Sequence, residues 1–512
     1  MKEKKRSPVR NLATGVPGLD SVLGGGLPEY SFNLIAGGPG AGKTTLVHQL
    51  MFANATAERP ALYFTVLGEP TLKMLRYQQQ FSFFDHDLAG SAIQFINLSE
   101  EVLDGNLDEV LKRMVDEIAR SKPGIVVVDS FRTIRENLTQ SSEHTTSSLE
   151  NFIQRLALHL TSWEVTSFLL GEYSESEQRD PIFTVADGVL WLTQAVDRNS
   201  VVRKLQVIKT RGQEQMPGLH TFRISDDGLQ IFPRIPERQD ARQLQSRTRI
   251  STGVPGLDEM LGGGMIAGDA VMITGPAGSG KSTITTQFIA EGLRKDEAAV
   301  IAIFEEYPKD YVARADARTP EIGEMTGSGK LEIIYLRPLD LSVDETLAAI
   351  LEAVQRLGAT RVAIDSLSGF EVALAPTFRI DFRESLYRLI GALTSTGVTV
   401  FMTAEVLDGF SYERFTSEQV SFITDEIIVQ RYVEIDSEIK RVMAVIKMRG
   451  SDHSHGFHLY ETTGKGVVVS GPLVGYHGII NGCPTFHGAA GSPLTEDRLT
   501  SRDEARLPLH GG

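Results

Sequence analysis

GGPGAGKT at residues 37–44 and GPAGSGKS at residues 275–282 are two copies of one pattern, G-x-x-x-x-G-K-[ST]. In this pattern glycines let successive backbone N–H groups surround phosphate oxygens, while the lysine reaches the β- and γ-phosphates and the hydroxyl ligates Mg²⁺. Each copy follows a short apolar run, residues 32–36 or 270–274, and precedes a helix-like stretch. Strand, loop and helix therefore occur in the order that a phosphate-binding loop requires.

The duplication extends beyond these loops. Lys43 and Lys281 are 238 residues apart (281 − 43), and the words TGVPGLD open both halves at residues 14–20 and 252–258. A chain of 512 residues is long for one hydrophobic core, so the repeat predicts two domains. The predicted division is a basic N-terminal tail (1–10), a first domain (11–232), a linker rich in Arg, Gln and Pro (233–249), a second domain (250–470) and a flexible C-terminal tail (471–512).

Each half alternates apolar, β-branched runs with helix-like stretches. In the first half such runs occur at residues 61–66, 93–98 and 125–128, with helix-like stretches at 107–120 and 142–159. This order predicts an α/β fold in which a mostly parallel sheet is flanked by helices on both faces. Later segments alternate apolar and polar residues, which predicts antiparallel strands at one edge of each sheet.

Composition limits the partners and the compartment. The net charge of −15 opposes binding to nucleic acid and to anionic membranes. Cys483 is the one cysteine, so no internal disulfide can form and we expect a reducing, cytoplasmic setting. No apolar run approaches the ~20 residues of a membrane span, and the basic start lacks the apolar core of a signal peptide.

A second acidic group is needed near Mg²⁺ for chemistry at a γ-phosphate. Asp129 ends the apolar run IVVVD and Asp365 ends VAID, which is the Walker B arrangement. It brings a carboxylate to the carboxyl edge of the sheet beside the phosphate loop. The predicted cofactors are ATP and Mg²⁺, with metal ligands Thr44, Asp129, Ser282 and Asp365.

The two halves differ at the group that would activate a nucleophile. In the second half the run IAIF leads into Glu305 and Glu306, either of which could orient a water or a serine hydroxyl. Leu67 and Gly68 take the places of this pair in the first half. Glu69 follows one position later and replaces the missing base only if a bulge or turn redirects it. We therefore expect the first half to be the weaker catalyst.

Positive charge for a transition state is available late in each half. Lys209 and Arg211 belong to KTRG, and Lys447 and Arg449 belong to KMRG, again 238 residues apart (447 − 209). A single copy would be interpreted as solvated charge at a strand end. The repeated spacing favours groups that reach a nucleotide, on the same or a neighbouring subunit.

Taken together, residues 12–469 resemble the KaiC family of double-domain, RecA-like ATPases of bacterial circadian clocks. The resemblance rests on the loops, the TGVPGLD openings, both Walker B strands, Glu305 and Glu306, the K-x-R-G segments and the ITDEII…YVEI stretch at 423–435. It implies two stacked RecA-like domains, a homohexameric double ring with ATP at subunit interfaces, and clock or signalling partners. The residues it implies for nucleotide binding are Gly38, Pro39, Gly40, Ala41, Gly42, Lys43, Thr44, Thr45, Pro276, Ala277, Gly278, Ser279, Gly280, Lys281, Ser282 and Thr283.

Clock members of this family also phosphorylate themselves on a Ser-Thr pair just before an ITD segment. Here Ser421 matches the serine acceptor, but Phe422 replaces the threonine and has no hydroxyl. A two-site phosphorylation cycle at that pair is therefore impossible. Thr416 and Ser417 are nearby, and loop hydroxyls of this kind usually cap turns or face solvent.

The leading hypothesis is an ATP-hydrolysing hexamer with serine autokinase capacity in its second domain, acting in signalling or timing. One alternative is a DNA-dependent recombinase or helicase, which the acidic balance and the lack of a DNA-binding module disfavour. A large, salt-sensitive stimulation of hydrolysis by single-stranded DNA would favour it. Another alternative is a regulatory scaffold whose rings bind ATP with little turnover.

Overall fold

The computed structural model describes most of the chain. The described residues are 10–66, 71–103, 107–130, 145–174, 180–197, 200–234, 248–336, 342–374, 376–379, 382–406, 423–479 and 484–486. Leu67 to Glu69, Thr416, Ser417, Ser421, Phe422 and Cys483 lie outside them.

Two sets of strands follow one another along the chain. The strands of the first half are β1 (Asn11–Leu12), β2 (Leu27–Pro28), β3 (Phe32–Gly37), β4 (Ala61–Thr65), β5 (Ile93–Asn97), β6 (Ile125–Asp129), β7 (Thr166–Glu172), β8 (Gly188–Asp197), β9 (Ser200–Thr210), β10 (His220–Ser225) and β11 (Gly228–Phe232). The strands of the second half are β12 (Arg249–Ile250), β13 (Met265–Ile266), β14 (Ala270–Gly275), β15 (Ala299–Ile303), β16 (Leu331–Tyr335), β17 (Arg361–Asp365), β18 (Thr399–Glu405), β19 (Glu426–Ile435), β20 (Glu438–Met448), β21 (His458–Thr463), β22 (Gly466–Pro472), β23 (Tyr476–His477) and β24 (Thr485–Phe486).

The helices lie between these strands. Those of the first half are α1 (Leu19–Leu23), α2 (Lys43–Asn54), α3 (Thr71–Gln78), α4 (Ser99–Leu103), α5 (Leu107–Ser121), α6 (Thr145–Ser162) and α7 (Pro181–Val185). Those of the second half are α8 (Leu257–Met260), α9 (Lys281–Arg294), α10 (Pro308–Asp316), α11 (Glu321–Met325), α12 (Val343–Leu357), α13 (Leu367–Ala373), α14 (Pro376–Arg379) and α15 (Phe382–Ser395). In the described residues, no helix is both long and apolar enough to cross a membrane.

Both halves build the same nine-stranded sheet from their described residues. The strand order is β11-β10-β9-β8-β3-β7-β6-β4-β5 in the first and β22-β21-β20-β19-β14-β18-β17-β15-β16 in the second. The strands from β8 to β5, and from β19 to β16, run parallel, while the others are antiparallel. This arrangement confirms the predicted fold class, two tandem RecA-like domains with mostly parallel sheets.

Each sheet is buried on both faces, which explains the unbroken apolar runs. Along β4, for example, Tyr63 packs into one core and Leu62 into the core on the opposite face. Side chains of a strand alternate between faces, so a strand covered on both sides has no position for a solvated polar residue. The second domain repeats this arrangement, with Ile301 and Val300 of β15 in its two cores.

The TGVPGLD openings have a structural explanation. Asp20 accepts hydrogen bonds from the backbone N and the hydroxyl of Thr14, at 2.9 and 2.6 Å, and Asp258 accepts the same pair from Thr252. A Cβ on Gly18 would lie 1.9 Å from the carbonyl oxygen of Ile231 on β11, and the φ of Gly18 is +80°. The motif therefore fixes a tight turn against the last strand of its own sheet.

Strands are also present in the segment predicted as a C-terminal tail. β22 continues to Pro472, β23 pairs with β24, and Ile479 packs with Val433, Ile435 and Val442 of the second domain. Ion pairs join the two halves, between Arg223 and Glu345 at 2.5 Å and between Arg234 and Glu384 at 2.7 Å.

Candidate active sites

Each predicted phosphate loop connects a buried central strand to a helix. β3 ends at Gly37 and α2 begins at Lys43, while β14 ends at Gly275 and α9 begins at Lys281. Apart from Gly38 itself and its two neighbours in the chain, no heavy atom of the described residues lies within 4 Å of the position that a Cβ on Gly38 would take. Both loops therefore have the strand-loop-helix geometry that presents backbone N–H groups to an anion.

The two loop lysines curl back over their own loops. The Nζ of Lys43 donates to the carbonyl oxygens of Gly37 at 3.0 Å and Gly38 at 2.8 Å. The Nζ of Lys281 donates to the equivalent carbonyl oxygens at 2.9 and 2.8 Å. Burial lowers the pKa of both ammonium groups, and nearby carboxylates, led by Glu172 and Glu405, oppose that shift.

The two Walker B carboxylates lie beside these loops. The hydroxyl of Thr44 donates to Oδ2 of Asp129 at 3.3 Å, and the side chain of Ser282 lies near Asp365 and opposes the rise in the pKa of that carboxyl. Burial raises the pKa of both aspartates. Each predicted metal-ligand pair is thus brought together, one hydroxyl with one carboxylate.

These donors fit Mg²⁺. They are hard oxygen ligands, and in the described residues no group of three or more His, Cys, Asp or Glu forms an all-protein metal cage. Mg²⁺ commonly uses one or two protein oxygens and completes its shell with phosphate oxygens and water. A lone hydroxyl and carboxylate beside a phosphate loop are the ligands expected for a metal that arrives with a nucleotide.

The acidic pair of the second domain lies at the same edge. β15 pairs with β17 so that Ile303 lies opposite Asp365, and the chain continues from Ile303 toward Glu305. The Oε1 of Glu305 accepts a hydrogen bond from the hydroxyl of Ser366 at 2.6 Å, and its side chain is exposed. Glu306 pairs instead with Arg314 of α10.

The K-x-R-G side chains contact the segment that precedes a central strand of their own domain. Lys209 donates to the carbonyl oxygens of Thr184 at 3.0 Å and Ala186 at 2.5 Å, and Arg211 pairs with Asp187 at 3.1 Å. In the second domain Lys447 donates to the carbonyl oxygen of Thr424 at 2.5 Å, and Arg449 pairs with Asp425 at 3.3 Å. Their action on a neighbour's nucleotide stays a prediction.

Comparison with known proteins decides the family. A family model described as KaiC ATPase matches residues 12–235 and again residues 250–473. The chain belongs to the KaiC ATPase family. The repeated match agrees with the two sheets and the two phosphate loops.

Individual relatives match along nearly the whole chain. The circadian clock oscillator protein KaiC of Rippkaea orientalis is 29% identical over 497 residues, covering 94% of this chain and 93% of its own. KaiC 1 of Synechocystis is 28% identical over 494 residues with the same coverage. KaiC of Prochlorococcus marinus is 28% identical over 485 residues, covering 93% of this chain and 96% of its own.

Sequence reasoning missed a glutamine that supports each phosphate-loop helix of this KaiC-family chain. Gln49 accepts from the backbone N of Leu229 at 2.8 Å and donates to its carbonyl oxygen at 3.3 Å. Gln287 makes the same two bonds with Val467, at 2.7 and 3.2 Å. The signal was present, because these glutamines are also 238 residues apart (287 − 49).

Among the residues that the structure describes, the second phosphate loop has polar supports without a counterpart at the first. The hydroxyls of Tyr432 and Tyr460 donate to the carbonyl oxygens of Ala277 at 3.1 Å and Ser279 at 2.7 Å. The hydroxyl of Ser279 donates to Gln430 at 2.9 Å. The corresponding first-domain residues are Gln194, Phe222, Ala41 and Leu192. The two KaiC-type loops are thus supported by different chemistry.

Proposed function

We propose that this chain is a Mg²⁺-dependent ATPase whose second domain is the main catalyst and has serine autokinase capacity. The observation that carries the proposal is the assembly of Lys281, Asp365 and Glu305 at one sheet edge, with Ser282 beside Asp365. Those groups supply the parts that phosphoryl transfer needs from the protein.

The proposed reaction uses Glu305 as the general base. Glu305 accepts the proton of a water or a serine hydroxyl as that oxygen attacks the γ-phosphorus, and the bond from phosphorus to the β–γ bridging oxygen breaks, releasing ADP. Lys281 stabilises the negative charge on the phosphate oxygens. Bound Mg²⁺ would neutralise further charge on the phosphates, held by Ser282 and Asp365.

The first domain is proposed to bind ATP and to hydrolyse it more slowly. It has the loop lysine and the metal-ligand pair, Thr44 with Asp129. Leu67 and Gly68 occupy the places that correspond to Glu305 and Glu306, and neither side chain can accept a proton. A regulatory, ATP-assembled first ring is therefore the second candidate function for that half.

We further propose that the chain forms a homohexameric double ring that acts in signalling or timing. The relatives are named circadian clock oscillator proteins and match over more than nine-tenths of this chain. The basic residues of the K-x-R-G segments lie at the ends of β9 and β20 or directly after them, where they could reach the nucleotide of an adjacent subunit. They are Lys209, Arg211, Lys447 and Arg449. Clock or signalling proteins are the partners that this role implies.

Mass spectrometry after incubation with Mg²⁺ and ATP tests the autokinase. Phosphate on Ser421 that disappears in both Ser421→Ala and Lys281→Ala is the expected result. Hydrolysis without phosphate on any hydroxyl would leave an ATPase and reject the kinase. Light scattering with and without ATP tests the hexamer, because assembly that buries nucleotide at subunit interfaces requires nucleotide.

A further inference from the structure

The two Walker B carboxylates are held by different hydroxyl groups. In the first domain, the phenol of Tyr63 donates to Oδ2 of Asp129 at 2.5 Å. In the second domain, the hydroxyl of Thr403 donates to Oδ1 of Asp365 at 2.6 Å. The donors come from opposite flanks of the Walker B strand, since Tyr63 lies on β4 and Thr403 on β18.

The two domains have opposite residue types at the two strand positions that can supply this hydroxyl. Tyr63 and Ile301 are each the third residue of equivalent strands, β4 and β15. Thr403 and Leu170 are each the fifth residue of equivalent strands, β18 and β7. Each domain therefore has one hydroxyl and one aliphatic side chain at these two positions, in opposite order.

Packing fixes the direction of the Tyr63 phenol. Tyr63 is fully buried, and its ring centroid lies 4.8 Å from that of His48 and 5.5 Å from that of Phe95. Burial lowers the pKa of His48 to about 4, so the imidazole is neutral at neutral pH. A phenol enclosed by rings in this way can turn only slightly, and its O–H points at Asp129.

The same oxygen of Asp129 also faces the predicted metal ligand. Oδ2 accepts from the phenol and from the hydroxyl of Thr44, at 3.3 Å, so the three groups form a chain from the core to the phosphate loop. We propose that Tyr63 is a positioning residue of the first nucleotide site, whose hydroxyl holds Asp129 in place to support metal binding with the nucleotide. This inference rests on the proposed function of Thr44 and Asp129.

A Mg²⁺ titration of nucleotide binding tests the proposal without relying on turnover. In the full chain carrying Lys281→Ala, a fluorescent ATP analogue measures nucleotide binding at the first site alone. In that background Tyr63→Phe should raise the half-saturating Mg²⁺ concentration about 10-fold, because losing an outer partner of a metal ligand typically weakens metal affinity by about 10- to 100-fold. Tyr63→Met fills similar space without a hydroxyl and serves if Tyr63→Phe does not fold.

Introducing the threonine arrangement of the second domain into the first should restore Mg²⁺-dependent binding. Leu170→Thr in the Tyr63→Phe chain supplies a hydroxyl from β7, as Thr403 does from β18, and should restore the Mg²⁺ midpoint to within about 3-fold of the parent. The control is Phe52→Leu, which loosens the same hydrophobic core at its contacts with Phe83 and Phe84 and leaves the hydroxyl of Tyr63 and its enclosing rings in place. It should lower the melting temperature and leave the Mg²⁺ midpoint unchanged.

The possible outcomes distinguish failure of the positioning role of Tyr63 from failure of the proposed nucleotide site in the first domain. An unchanged midpoint in both Tyr63 variants, or an equal shift in Phe52→Leu, would overturn the positioning role and leave the nucleotide site intact. Absence of Mg²⁺-dependent binding in the Lys281→Ala parent would overturn the proposed site in the first domain and this inference with it.

Discussion

Arg314 pairs with Glu306, with Nε of the arginine 3.4 Å from Oε2 of the glutamate, while the adjacent Glu305 has no share in that ion pair. The guanidinium also lies over the ring of Tyr311, 5.0 Å from its centroid. Glu305 instead accepts a hydrogen bond from the hydroxyl of Ser366. Two adjacent carboxylates thus have different partners, and we expect them to have different roles.

Glu305→Gln should abolish most turnover in the second domain and preserve ATP binding. The amide keeps the size and the acceptor oxygen but cannot take a proton, so we expect a loss of about 100-fold or more. Single-turnover hydrolysis in a Lys43→Ala chain measures this, with Glu306→Gln as the matched control that loses less. Equal losses in the two variants would contradict the division of roles.

Arg314→Met should lower hydrolysis in the second domain, by about 10-fold in a Lys43→Ala chain. Without the guanidinium, Glu306 loses its ion-pair partner and can compete with Glu305 for the hydroxyl of Ser366, so the proposed base is less well positioned. Arg314→Lys should restore part of the rate. An unchanged rate in Arg314→Met would show that this ion pair does not position the acidic pair.

The two phosphate loops should contribute unequally to turnover. Lys281→Ala disables the nucleotide site of the second domain, which has both carboxylates. Lys43→Ala disables the site of the first domain, where Leu67 and Gly68 stand in their places. Lys281→Ala should thus lower steady-state hydrolysis about 10-fold and Lys43→Ala less than about 2-fold. The opposite order would mean that Glu69, or another group, serves as an effective base in the first domain.

Glu426 should make folding stability depend on pH. Its side chain is fully buried, and Oε1 accepts the backbone N of Ile266 at 2.9 Å. Burial raises the pKa of this carboxyl to about 8, with Asp269 and Asp425 adding to the shift and the backbone hydrogen bond and Arg249 opposing it. Because the folded state holds this proton more tightly than the unfolded state, its stabilisation is complete below about pH 4.5 and is lost as pH rises through about 8.

Glu426→Gln removes that titration. The free energy of unfolding of the variant relative to the parent should rise by about 2–4 kcal/mol between pH 5 and pH 9. Denaturant unfolding at several pH values measures it, and the exposed Glu434→Gln on the same strand is the control. A difference that stays constant across this range would show that Glu426 does not titrate there.

The sequence predicted the motifs and the fold because each depends on residues close together in the chain. Lys43 with Thr44 and the apolar run before Asp129 are local patterns, and the family comparison confirmed the kinship that they indicated. Tyr63 and Thr403 could not be predicted in this way. Each meets its carboxylate only after the strand order is set, and that order is decided by packing of both sheet faces.

The central claim is that each half of the chain binds one nucleoside triphosphate through its phosphate loop. Equilibrium titration with a fluorescent ATP analogue in the presence of Mg²⁺ tests it most directly. We predict two saturable sites per chain, reduced to one by either Lys43→Ala or Lys281→Ala and to none by the double variant. Saturable binding that survives in the double variant, or no binding to the intact chain, would contradict the claim.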